Sequence, residues 1–317
     1  MKDWRALLKA DPTDWLLEAN DPSLRYRVLT ELLDVPSDSL EALEARKTLM
    51  GTGPVATILS KQEAEGNWGR KEDFYVRSKY EGTVWNLILL SDLAADPKDE
   101  RVHRAGGFIL AWSQRSDGGF THLGGPDGGR TASLPCLTGN MAFSLIRSGF
   151  GQDPRMLVTY DHLRRLAETE VTVFKKCPAC RSGAVKVLKA LAEVPPNIID
   201  ERMRTAHSAL AERVMDRCLP VSVDDKARPE WSKFGFPLMW NTDLLEILDA
   251  LARISGRDER MSQALDIILA QQDGYGRWPM VRNFPGRFLV TFERAGKPSR
   301  WSTFRALSML KRLPDDK

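Results

Sequence analysis

The chain has 317 residues, 42% hydrophobic and 28% charged, with a net charge of +3. That length allows one large domain with a core of useful size, and the charge is too small to argue for a nucleic-acid partner. No apolar run approaches the roughly 18–20 residues of a membrane span. The opening stretch MKDWRALLKADPTDW is charged throughout, and four cysteines in this length do not make a disulfide scaffold. A cytoplasmic protein without a signal peptide is therefore expected.

In chain order, the first apolar helix is predicted over SLRYRVLTELLD, residues 23–34. Next comes Gln62-x3-Gly66-x-Trp68, then a second apolar helix in EGTVWNLILLSDLA. Asp99-x-Arg101 opens a more amphipathic helix, RVHRAGGFILAWSQ, which runs into Gln114-x3-Gly118-x-Phe120. The glycine-rich stretch around His122 follows and reads as a long connection. A third apolar helix is LTGNMAFSLIRSG; Asp153-x-Arg155 and a degraded marker at Glu168, Thr172 and Phe174 come after it. The fourth is GAVKVLKALAEV, followed by Asp200-x-Arg202. The fifth is NTDLLEILDALARI, followed by Asp258-x-Arg260 and the third clear copy, Gln272-x3-Gly276-x-Trp278. STFRALSMLKRL is the sixth. His103, His162 and His207 fall in the intervening segments and read as surface groups.

Leu, Ile and Val recur at helical spacing in these segments, and nothing comparable alternates with period two. Aspartate before each amphipathic helix suits an N-cap. The two interleaved markers recur on a beat of about 52 residues, the mark of a repeat architecture. Both terminal helices are as apolar as the central four, so neither end is a polar cap, and closure is favoured over an open solenoid. The expected fold is all-α: an α/α toroid of six helical hairpins, with six apolar helices inside, amphipathic helices outside, and a single domain spanning residues 1–317. On that fold Gln62, Gly66 and Trp68 form a joint between repeats, and Trp68 and Trp278 are buried scaffold.

The Gln-x3-Gly-x-aromatic copies, the Asp-x-Arg markers and the closing GKPSRWSTFRALSML together resemble the prenyltransferase and squalene-cyclase repeat superfamily, nearest to bacterial members built as one six-hairpin ring. The resemblance implies a terpenoid-cyclase fold and an enzyme acting on an isoprenoid or other apolar substrate in the central cavity. Two family chemistries are not carried over. The Asp-x-Asp-Asp acid of class II cyclases is missing, with only Asp224 and Asp225 in the polar SVDDKA. The prenyltransferase zinc triad is missing too, because Ser302 stands where its histidine would be and Leu134 stands where an aspartate would precede Cys136.

Toroid geometry puts Cys136, Cys177, Cys180 and Cys218 at one end of the ring, in consecutive hairpins. Cys-x2-Cys is half of a common zinc site, and four thiolates would make it structural rather than catalytic. Buried apolar thiols and a redox pair are the other readings. In the cavity the sequence places Tyr26, Trp85, Asn86, Asn140, Trp240, Asn241 and Trp301 as candidate ligand-binding residues, against a plain packing or helix-capping role for each. Asp243, Arg300 and Arg305 are the candidate catalytic groups: a carboxylate at the cavity floor, and two guanidinium groups able to grip a diphosphate or carboxylate. Equally, the arginines pair with Glu293 or Asp243. The rival to the enzyme is a non-catalytic binding protein that uses the cavity or the ring's face for a lipid-like ligand or a protein partner.

Overall fold

The computed structural model describes residues 4–75, 79–125, 131–169, 178–219, 230–283 and 286–313, with side chains from residue 182 onward in the fourth segment. Among the described residues thirteen α-helices dominate: α1 Thr13–Leu17, α2 Pro22–Arg27, α3 Leu40–Gly51, α4 Gly53–Leu59, α5 Thr83–Asp92, α6 Glu100–Trp112, α7 Pro135–Leu145, α8 Pro154–Glu168, α9 Pro178–Leu191, α10 Glu201–Cys218, α11 Leu244–Ser255, α12 Ser262–Ala270 and α13 Arg300–Arg312. The strands among the described residues are one antiparallel pair, β1 Pro279–Met280 and β2 Lys297–Pro298.

Six helices form the inner ring. α2, extended by a π-helical turn at Val28–Leu32, packs on α13; α13 packs on α11, α11 on α9, α9 on α7 and α7 on α5. The circle closes where the Arg27 guanidinium, on α2, donates to the Asp92 carbonyl at the end of α5 (2.8 Å). α5 and α7 are buried almost along their whole length, as helices covered on several sides must be. The outer layer is α3 with α4, α6, α8, α10 and α12, and residues 4–17 supply its last member. This is the expected α/α toroid.

The repeat marker proves to be a joint between neighbouring outer helices. The Gln62 amide donates to the Arg101 carbonyl at the start of α6 (2.8 Å), and the Gln114 amide donates to the Arg155 carbonyl at the start of α8 (2.8 Å). The Gln272 amide donates to the Leu7 carbonyl (3.1 Å) and its oxygen accepts the Lys9 N–H (3.0 Å), so the last repeat is stitched to the chain's first residues. Each glycine lets the backbones meet. At Gly66, Gly118 and Gly276 φ is +94°, +88° and +72°, and an added Cβ would overlap the carbonyl oxygen of Arg104, Val158 and Ala10 respectively.

The aromatic then turns back under its own hairpin. The indole N–H of Trp68 donates to the Ile58 carbonyl (2.8 Å), and that of Trp278 to the Ile268 carbonyl (2.7 Å). Trp68 and Trp278 are 2% and 0% exposed, as the joint reading requires. A further component was not read from the sequence. The backbone N–H of Trp68, Phe120 and Trp278 donates to a threonine hydroxyl on the next inner helix: Thr83, Thr138 and Thr303 (2.9–3.1 Å). Its distance along the chain from the aromatic varies from copy to copy, which hides it from a fixed-spacing search.

The Asp-x-Arg marker is a clamp. Asp99, Asp153 and Asp258 each accept the backbone N–H and the guanidinium of the arginine two residues on. At Asp200 the cap is made to Met203 instead, and Arg202 reaches Glu168. Thr172, Phe174, Asp224 and Asp225 lie outside the described residues. Two histidines correct the sequence reading. His162 and His207 are 9% and 8% exposed, packed into the outer layer rather than on its surface, and burial lowers the pKa of both rings.

Candidate functional site

The sequence reading expects an apolar, aromatic chamber inside the ring, and the central cavity differs. Its volume is about 80 Å³, and its lining includes seven cationic side chains and four carboxylates. Ile88, Phe143, Phe236, Leu238, Met239 and Phe304 supply its apolar wall. Inner helices face outer helices with one stripe and each other with two more. The stripe left over points to the axis, and there the charges collect.

The charges form a chain across the helices. Glu31 takes Arg27 (2.7 Å) from its own helix and Arg312 (3.1 Å) from α13. Arg312 holds Asp249 (2.6 Å), which also takes Arg253 (3.1 Å). Arg253 reaches Glu193 (2.8 Å), and Glu193 also takes Arg147 (3.1 Å). Four of the six links join neighbouring inner helices, so the chain works as an ionic belt at their C-terminal ends. Higher in the cavity, both oxygens of Glu246 contact the Lys186 ammonium (2.8 and 2.7 Å), and Lys189 adds a third contact (3.2 Å). Lys186 is 1% exposed, so this pair is shielded from bulk solvent.

Burial alone would raise the Glu31, Glu246 and Asp249 carboxyls, but the surrounding cations overcome it and hold all three below the usual range. Burial also pulls the Lys186 ammonium down, against the pull of Glu246. With two carboxylate contacts on its Nζ, the geometry is that of an ion pair. The three carboxylates stay ionised at neutral pH. A cavity that initiates carbocation chemistry needs the opposite, a carboxyl that keeps its proton.

Arg147 and Ser308 also line the cavity. Arg147 places one nitrogen, Nη2, on Glu193 and lies against the Phe143 ring (5.2 Å). The Ser308 hydroxyl lines the cavity, is 5% exposed and has no hydrogen-bond partner.

Of the ten candidate catalytic and ligand-binding residues, Asn140 and Arg305 line this cavity. Asn140 donates to the Met239 carbonyl (3.2 Å) and so holds the 236–240 segment in the mouth of the ring. Arg305 grips both oxygens of Asp243 (2.8 and 2.7 Å) and the Gly235 carbonyl (2.9 Å). Asp243 is 0% exposed and caps α11 through the Glu246 N–H (3.0 Å). Its acceptors are taken by cap and arginine, so it presents no acid to the cavity. Arg300 lies over Trp15 (4.6 Å) and donates to the Trp15 carbonyl (3.2 Å), at the joint with the N-terminal segment.

The aromatic candidates form a separate cluster at the N-terminal ends of the inner helices. Trp85 is fully buried, stacks on Tyr75 (4.7 Å) and donates to the Tyr75 carbonyl (2.8 Å). The Trp240 indole N–H donates to the Tyr80 hydroxyl (3.2 Å). Trp301 stacks on Phe236 (4.1 Å) and donates to Asp21 (2.9 Å). Tyr26 faces the outer layer, its ring under the Arg46 guanidinium. The Asn86 amide donates to the Glu81 and Gly82 carbonyls at its own helix start. The Asn241 backbone N–H closes a turn on the Leu238 carbonyl (2.9 Å).

Of the cysteines, Cys136 sits at the start of α7 against Gly183 of α9, and Cys218 is buried at the end of α10. Cys177 lies outside the described residues and the Cys180 side chain is not described. Among the described residues no three His, Cys, Asp or Glu side chains are placed to hold a metal ion. None of the described helices is long and apolar enough to cross a membrane.

Fold and site together define an all-α ring with a charge-lined axial cavity. No family model matches the chain, and no curated protein matches it either. Among solved structures, the chain is similar to a variant of the type II terpene cyclase MstE from Scytonema in complex with its product, merosterolic acid A. That match has 12% identity and a TM-score of 0.29, and it covers 82% of this chain and 93% of the other. A likeness so distant leaves the architecture to rest on the helix packing described above.

Proposed function

We propose that this ring is a binding protein for a lipid-like anion, whose charged group is held in the axial cavity. One observation carries the reading: the buried Ser308 hydroxyl has no hydrogen-bond partner and faces a cavity lined by seven cationic side chains and four carboxylates. Glu31 and Asp243, from outside the lining, take up Arg27, Arg312 and Arg305, which leaves one cation in excess for an anionic ligand to pair. The volume of about 80 Å³ suits a compact charged group. It falls short of the roughly 150 Å³ of an engineered apolar cavity that takes up benzene.

The isoprenoid enzyme implied by the sequence resemblance is the second reading, and one observation favours it. Burial pushes the Asp21 carboxyl up, and Glu293 adds to the shift, beside the stacked rings of Trp301 and Phe236. Against it, Asp21 already accepts the N–H groups of Ser23, Leu24 and Trp301. Thermal unfolding with alkyl phosphates separates the two readings. A ligand that binds only the folded ring raises its unfolding midpoint. Dodecyl phosphate is expected to raise the midpoint at constant ionic strength, and dodecanol is not. No shift with the phosphate, or an equal shift with the alcohol, would overturn the binding reading. Turnover of a prenyl diphosphate would favour the enzyme.

A further inference from the structure

A second, larger space of about 450 Å³ adjoins the aromatic end of the ring. Its lining is mixed: Phe288, Val290 and Phe292 share it with Glu81, Arg287 and Glu293. Phe236 is the residue common to its lining and that of the axial cavity. Its ring is stacked on Trp301 at 4.1 Å and meets Phe292 edge-on at 5.3 Å. One phenyl ring therefore stands between a small chamber with an excess of cations and a larger one whose walls are part polar and part apolar. Ligand pockets commonly enclose roughly 300–1,000 Å³. The axial cavity alone is below that range, and the outer chamber lies within it.

We propose that Phe236 is a gate, and that the ligand is a single-chain amphiphile with a compact anionic head. The head sits against Arg147, Lys189 and Ser308. The chain passes Phe236, whose ring swings off Trp301, and lies along Phe288, Val290 and Phe292 in the outer chamber. This rests on the binding reading given above. Met239 is consistent with a preset segment here: it is held at φ +53°, a conformation unusual for a residue with a side chain, while Asn140 and Arg305 grip the carbonyls of Met239 and Gly235.

The test is calorimetric titration of the full chain with inorganic phosphate, then with alkyl phosphates and alkanoates of rising chain length. Each methylene buried in the outer chamber is expected to tighten binding by about threefold to fourfold, until the chamber is full. The phosphate and carboxylate series distinguish the two head chemistries by their offset, and both share the chain-length slope. Phe236→Trp is expected to erase the slope while inorganic phosphate still binds. Val290→Asp, which charges the outer chamber without touching the gate, should flatten it too and covers the case in which the tryptophan variant does not fold. Phosphate binding with no chain-length slope in the wild type would overturn the gate and leave the binding reading standing. No binding of any anion would overturn both.

Discussion

Replacing Trp278 by alanine is expected to cost about 3–5 kcal/mol of stability, the range for a buried aromatic cut back to a methyl group. The indole is fully buried, donates to the Ile268 carbonyl, and has its backbone N–H on Thr303. Removing it leaves a cavity and takes one of two donors from the Ile268 carbonyl, which keeps the Gln271 N–H (3.1 Å). The position matters as much as the size. This copy of the joint includes Gln272 and Gly276, which hold Leu7, Lys9 and Ala10, so it is where the chain's last hairpin meets its first residues. The loss should therefore appear as faster amide exchange in residues 4–17 as well as a lower urea midpoint. Trp278→Phe, which keeps most of the volume but loses the indole donor, should cost clearly less. A loss below about 1 kcal/mol for the alanine variant, typical of a surface change, would show that Trp278 does not fasten the ring.

Lys186→Met is the second large effect. Glu246 then keeps only Lys189, its weaker partner at 3.2 Å, and stays as a buried carboxylate. Breaking a buried pair from one side costs about 3–5 kcal/mol, whereas replacing both partners by apolar groups is often nearly neutral. The double variant Lys186→Met with Glu246→Leu should accordingly recover much of the single variant's loss, and chemical unfolding of all four species measures it. Additive losses would mean that the two side chains do not act as a pair.

The fold was legible because its joints are chemical necessities repeated on one beat. Gly276 has to be glycine, since any Cβ would meet the Ala10 carbonyl. Gln272 has to reach the next outer element, and Trp278 has to fill the hairpin behind it. The matching threonines were missed because loops of different length separate them from their aromatics. The site was much less legible. Glu246, Asp249 and Arg253 lie three and four residues apart in a helix, which reads as an ordinary solvated face. Only closure turns that face inward, and it turns Arg27, Glu31, Arg147 and Arg312 with it.

The sequence reading chose aromatic and amide side chains because it assumed an apolar chamber. Of its choices Asn140 and Arg305 line the cavity, and the lining residues Arg147, Lys189 and Ser308 were not among them. A useful signal was present in the apolar helices themselves. Arg147, Lys186 and Lys189 interrupt segments whose other faces are taken up by packing. In a closed ring such charges have only the axis to point to.

The central claim is that the axial cavity holds an anion against Arg147, Lys189 and Ser308. Calorimetric titration of dodecyl phosphate into the wild type and Arg147→Gln tests it most directly, with circular dichroism confirming that the variant is folded. A hydrogen bond to a charged group is worth about 1.5–3 kcal/mol, so its loss should weaken binding tenfold or more. Equal affinity in the two folded proteins would contradict the account.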